Sequence, residues 1–183
     1  HIYCIPPYWA ERQDDDLLLD DPQASERELS DFRQAGGNAI YDATAPDYGR
    51  QAAAVAAMAQ RQQVHIIATA GFNKGFLWSS KRPGSAQTFA EWIAHSDVDE
   101  LVEHVCREVT KGIEGTEHRA GVVKCGTGYN AISPLEQKTM EVIVRAQQRT
   151  GAPMHSHTEM GTMGLEQVQL FKKWGLDLSR LCF

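Results

Sequence analysis

The chain has 183 residues, enough for one domain with a sizeable core, and its 42% hydrophobic and 23% charged residues are ordinary for a globular protein. A formal net charge of −6 lacks the basic footprint of a nucleic-acid binder, so nucleic acid is not an expected partner. No apolar run reaches the roughly 18 residues of a membrane span, and Cys4, Cys106, Cys125 and Cys182 form no C-x-x-C pair, so no membrane partner and a reducing cytoplasm with free thiols are expected.

In chain order, residues 1–23 read as a loop, with Pro6, Pro7 and an acidic run at 14–16. Ser25-Glu26-Arg27-Glu28 has the form of a capping box, so a helix is predicted from there to Gly36-Gly37. Residues 38–44 read as a short buried strand, 49–62 as an alanine-rich helix and 65–70 as the next strand. A long loop rich in aromatics and glycine is expected over 72–95. A second capping box, Asp97 to Glu100, opens a helix whose stripe is Leu101, Val105, Val109 and Ile113. Residues 120–125 read as a strand. A third box, Ser133 to Glu136 with Pro134 at the first helical position, starts a helix running to about Thr150. A strand over 153–158, a helix over 164–174 and the start of one more strand at 180–183 complete the pattern.

Strands alternating with helices imply a parallel sheet, either open and doubly wound or closed as a (β/α)₈ barrel. No G-x-G-x-x-G occurs at a strand-to-helix turn, which removes the best signal for a dinucleotide fold. Four full strands and a fifth that has only begun are fewer than a barrel's eight, so the expectation is one barrel domain over 1–183 that is incomplete at both ends.

Lys124 closes the apolar strand Val122-Val123-Lys124, at the end where barrel enzymes place catalytic groups. A lysine turned into such a mouth loses its charge easily. The neutral amine can form a Schiff base, as in an aldolase, or take up CO₂ to become a carbamate able to bridge two metal ions. A strand-end lysine can also be an ordinary salt-bridged or snorkelling residue. His155 and His157, two apart, share one face of their strand, a pattern that suits a metal or a hydrogen-bonded core pair. His157 lies nearer the rim and is the better ligand; His155, one layer deeper, is expected to support or pack. His65, His95, His104 and His118 read as lying away from the site, the last three at the surface. In the strand-end loops, Tyr129 and Lys74 are candidate substrate contacts, Lys74 toward a phosphate alongside Lys81 and Arg82, though these cations also suit a solvated surface.

The runs Gly121-Val122-Val123-Lys124, Ser133-Pro134-Leu135-Glu136 and 150–159, with 161–167 and Leu178-Ser179-Arg180-Leu181, resemble the phosphotriesterase-like family of the amidohydrolase superfamily. The resemblance implies a (β/α)₈ barrel of which this chain covers roughly strands 2 to 5 and the start of 6. It further implies two divalent metal ions (zinc first, manganese or cobalt as alternatives). Lys124 would be the bridging lysine carrying a CO₂-derived carbamate, His157 the fifth-strand ligand and His1 the second histidine of the first-strand pair. The implied activity is hydrolysis of a small-molecule ester by a metal-bridging hydroxide. A lactone, in particular a sugar-lactone phosphate, is favoured by the stretches 71–75 and 124–130; a phosphotriester is the alternative within the family, and the resemblance leaves room for a homodimer. A Schiff-base aldolase and a non-catalytic fragment remain as readings of another class.

Overall fold

The computed structural model describes residues 1–14 and 17–183, so most of the acidic run at 14–16 lies outside the described residues. The elements are α1 (Pro7–Arg12), α2 (Pro22–Gln34), β1 (Ala39–Tyr41), α3 (Ala52–Gln62), β2 (His65–Ile67), β3 (Thr69–Gly71), α4 (Phe89–His95), α5 (Val98–Thr110), β4 (Val122–Thr127), α6 (Pro134–Thr150), β5 (Met154–Thr158), α7 (Gly164–Lys173) and β6 (Leu181–Cys182).

Every ladder is parallel: β1 pairs with β2, and β3 to β6 lie side by side in chain order. β2 and β3 are one extended run broken at Ala68, the first half facing β1 and the second β4. Main-chain bonds bracket the break, with Asp42 N donating to Ile67 O at 3.0 Å and Gly121 N to Ala68 O at 2.9 Å. A doubly wound sheet reverses its strand order at a switch point, whereas this order never reverses, which is how strands succeed one another around a barrel. The described strands are a sector of a (β/α)₈ barrel.

The main core lies between the sheet and the helices α5 and α6. Val123 and Cys125 of β4 are wholly buried there with Val105, Met140 and Ile143. Ala152 and Phe171 belong to the same cluster.

Five local expectations change. Residues 7–12 of the expected N-terminal loop form α1, entered through Pro6 with Pro7 at its first position. α2 begins before the expected box: Asp21 is its cap, its carboxylate accepting from Gln23 N at 2.8 Å and Ala24 N at 3.0 Å. Ser25 lies inside the helix and donates to Ile2 O at 2.8 Å. The expected loop 72–95 contains a 3₁₀ turn, Gly75–Ser79, and α4, whose box is Thr88 with Glu91. In the stripe expected for α5, Val109 is only half-buried and Ile113 lies beyond the helix end. His104 is half-buried rather than superficial, its ring edge-on to Trp92 at 5.1 Å. Among the described residues, no helix is long and apolar enough to cross a membrane.

Arg50, between β1 and α3, is 7% exposed and anchors three segments. Its guanidinium donates from Nη1 to Glu108 at 2.9 Å, from Nη2 to the same carboxylate at 2.5 Å, and from Nε to Glu114 at 3.0 Å. Nη1 also reaches the carbonyl of Thr69. Glu108 is itself 5% exposed, and removing it leaves the buried cation with only the more exposed carboxylate of Glu114. Glu108→Ala is expected to lower unfolding stability by about 3–5 kcal/mol, measured by urea titration.

Candidate functional site

The parallel register sets the levels of the site. Gly71, Lys124 and His155 lie side by side, with Gly126 beside His157 nearer the rim. Two glycines permit this closeness. A Cβ on Gly71 (φ +110°) would lie 2.3 Å from the carbonyl oxygen of Lys124, and one on Gly126 would lie 2.7 Å from Cβ of His157.

Lys124 is 3% exposed and has no carboxylate within ion-pair distance among the described residues. Its Nζ donates to the carbonyl of Ala43 at 2.8 Å. Burial pulls its pKa down to about 8; the field of Asp47 opposes this and that of Lys74 adds to it. An amine of that pKa is still mostly protonated at pH 7, but its neutral fraction is far larger than that of an ordinary lysine.

His157 meets Lys74 and Glu159 at the rim. Its Nε2 is 3.1 Å from Lys74 Nζ and 3.0 Å from Glu159 Oε2, and Lys74 is ion-paired with Glu159. An ammonium group only donates, so Nε2 can turn its lone pair toward that cation. Burial lowers the pKa of His157, against the Glu159 hydrogen bond that raises it. His155 lies deeper, its ring 5.2 Å from that of Tyr41 and its buried Nδ1 without a partner among the described residues. Burial first, then the charges of Lys124 and His157, bring its pKa down to about 4.

His1 stacks on Tyr48 with ring centroids 4.3 Å apart. Thr44 donates its hydroxyl proton to Asp42, so it accepts from His1 Nδ1 at 2.7 Å, which fixes the tautomer and leaves Nε2 with the free lone pair. Lys74 is 8% exposed, which sets aside its reading as a surface cation, and it lies 4.8 Å from the centre of the Phe76 ring. Tyr129 is 63% exposed at the rim. Among the described residues, no three side chains drawn from His, Cys, Asp and Glu converge on one point.

Sequence reasoning missed three residues that organise the mouth. Asp47, in the turn after β1, is 1% exposed; its Oδ2 accepts from Asn73 N at 2.7 Å and Trp78 Nε1 at 2.5 Å, while Oδ1 has no partner among the described residues. Burial raises its pKa to about 6. Gln167, wholly buried on α7, donates to Thr127 Oγ1 at 2.7 Å and to the carbonyl of His157 at 3.0 Å, and accepts from Ser156. Glu159 was visible only as the residue two beyond His157.

The Phosphotriesterase family profile matches residues 10–183. The chain is 30% identical over 166 residues to a phospho-furanose lactonase of Mycoplasmopsis agalactiae, covering 84% of this chain and 45% of that protein. It is 31% identical over 156 residues to the phosphotriesterase homology protein of Escherichia coli, covering 85% and 50%. Among solved structures, a lactonase from Listeria monocytogenes superposes with a TM-score of 0.96 at 48% identity, over 99% of this chain and 57% of that one. The Escherichia coli phosphotriesterase homology protein, solved with phosphate in its active site, gives 0.88 at 28% identity, over 99% and 58%. The chain thus spans about half the length of the curated relatives it matches.

The buried carboxyl of Asp47 generates a pH dependence of known sign. Its folded pKa lies above the usual 3.8, so its contribution to stability is complete below about pH 4 and is lost as pH rises through about 6. Asp47→Asn removes that loss. Relative to wild type, the variant is expected to gain up to about 3 kcal/mol between pH 4 and pH 7. Urea unfolding of both proteins at the two pH values measures the gain.

Proposed function

The chain belongs to the phosphotriesterase family, and on that premise we propose that it carries one side of the active site of a binuclear-metal hydrolase that opens the ring of a phosphorylated sugar lactone. Lys124 carries this reading. It is a lysine 3% exposed, the third of the six residues of β4, without a carboxylate partner among the described residues, and with a lowered pKa that enlarges its neutral fraction. A neutral amine adds CO₂ to give a carbamate, which turns a basic side chain into an anionic oxygen ligand.

The donors present fit that role in chemistry. His1 offers Nε2 because Nδ1 is committed to Thr44, and His157 offers an Nε2 that already faces a cation. His1 and Lys124 would serve one ion and Lys124 and His157 the other, as open sites shared with further donors. Two divalent ions, with zinc the first choice and manganese or cobalt as alternatives, would supply Lewis acidity and an acidified water. The chain's own residues would bind and orient: Lys74 as a desolvated cation toward a substrate phosphate, in competition with Glu159, and Tyr129 as a wall at the rim. His155 would pack beneath the ligand His157. In the reaction, water adds to the lactone carbonyl, the ring C–O bond breaks, and the released alkoxide takes the proton to give a hydroxy acid.

Two observations favour a lactone over a phosphotriester. The curated relative from Mycoplasmopsis agalactiae is named a phospho-furanose lactonase, and the solved protein from Listeria monocytogenes is a lactonase. A desolvated lysine also suits a phosphate monoester, which is anionic, better than a neutral triester.

The test is metal content by elemental analysis together with carbon-13 NMR after growth with labelled bicarbonate, for wild type and Lys124→Ala. Close to two ions per chain and a carbamate resonance are expected, with both lost in the variant and lactone hydrolysis reduced at least about a hundredfold. A folded wild type without bound metal, whose Lys124 is trapped by borohydride on a carbonyl compound, would instead establish Schiff-base chemistry.

A further inference from the structure

The face of α3 turned to the sheet is made of small residues. Ala52, Val55, Ala56 and Ala59 follow one another at helical spacing and lie over Ile66 and Ala68. Alanine ends at Cβ, so these side chains cannot fill the space a helix keeps from a sheet, and a cavity of about 770 Å³ remains. That volume falls within the range of about 300–1,000 Å³ typical of small-ligand sites. Its walls are mixed: the small side chains of α3 with Val64, Ile66 and Ile113 make the aliphatic part, and Gln60, Gln63 and Thr69 join the charged residues in the polar part.

Its polar groups are unevenly placed. Asp42 and Thr44 lie at the ends of the strands nearest Lys124 and are bonded to each other, and Arg50 is consumed by Glu108 and Glu114. His65 opens β2, and His118 and Arg119 precede β4, so these three line the cavity at the opposite ends of the strands. All three side chains are exposed, and none makes a hydrogen bond or ion pair among the described residues. Arg119 carries a permanent charge, and each histidine offers an N–H donor in either protonation state.

We propose that this cavity binds a small amphipathic anion, an unbranched alkyl chain ending in one carboxylate. The head group is held by Arg119 with His65 and His118, and the chain lies along Val55, Ala56 and Ala59. The aliphatic part of the wall takes the alkyl chain through the hydrophobic effect, and the three donors select the charged end. The site adjoins the Lys124 mouth at Asp42 and Thr44, but the proposal does not rest on the reaction proposed there.

The probe is decanoate, titrated calorimetrically into the full chain beside 1-decanol, which has the same chain length and no charge. Saturable binding of one decanoate per chain is expected, with decanol at least about tenfold weaker. Arg119→Glu, at an exposed position that leaves folding intact, is expected to weaken decanoate about tenfold or more, and Ala56→Phe to abolish binding by filling the cavity. Lys124→Ala is expected to leave binding unchanged. Absence of saturable binding, equal binding of acid and alcohol, or an unaltered affinity in Arg119→Glu would each overturn the proposal.

Discussion

The carboxylate of Glu136 holds the mouth of the sheet together. It is 3% exposed and takes three main-chain donors, Gly75 N and Gly128 N at 2.9 Å on Oε1 and Ser133 N at 2.8 Å on Oε2. Backbone N–H groups satisfy a buried anion without a cationic partner, and the first turn of α6 adds the favourable end of its dipole. One donor belongs to the loop after β3, which carries Lys74, and another to the loop after β4, which follows Lys124. The helix that holds this carboxylate buries Met140, Val142, Ile143 and Val144 completely. The placement of Lys74 relative to Lys124 therefore follows from a core helix rather than from the loops themselves, which is the arrangement a preorganised site requires.

Burial outweighs attraction inside that frame. Lys124 and Asp47 act on each other with opposite charges, yet the amine is pulled down to about 8 and the carboxyl pushed up to about 6, so in each case desolvation exceeds the Coulomb gain. The result is a floor whose amine and carboxyl both titrate closer to pH 7 than usual, below a rim where Lys74 and Glu159 form an ion pair. The same desolvation lowers the pKa of His155 and His157. Imidazoles kept neutral have lone pairs to offer, and a neutral amine can react. Loss of water at the strand ends acts on Lys124, His155 and His157 alike, whereas His1 is set by its hydrogen bond to Thr44.

The strands and the deep helices were legible in the sequence because burial imposes period and composition there. The apolar strand that carries Lys124, expected over 120–125 and found over 122–127, and the box at Ser133 are patterns that admit few alternatives. Where the outcome depended on contacts distant in sequence, local patterns misled. Ser25 and Glu28 have the spacing of a capping box, but Ser25 is needed by Ile2, so the cap falls to Asp21. The segment 72–95 has no clear period because its aromatics pack on several partners at once; Trp78 bonds Asp47 and Trp92 receives Arg82. In the site, residues named for their own chemistry (Lys124, His155, His157) could be picked out by type and spacing. Asp47 and Gln167 could not, because each acts by accepting or donating to main-chain groups of other elements. Glu136 was legible only as a cap, since nothing local announces that Gly75 will come to it across 61 residues.

The two ends of the sector differ in how they are filled, and the cause is in the sequence. At the rim, glycines at 71 and 126 let backbone and side chains close to contact, and Glu136, Asp47 and Gln167 tie the loops to the strands, while Asp47 Oδ1 and His155 Nδ1 are left without a partner among the described residues. At the other end, alanines on α3 leave space that no neighbouring side chain enters. Dense packing with satisfied hydrogen bonds fixes geometry, whereas an aliphatic void fixes little and forfeits dispersion contacts. A chain that spends its large side chains around α5 and α6 thus packs the end that carries Lys124 closely and leaves open space beside α3.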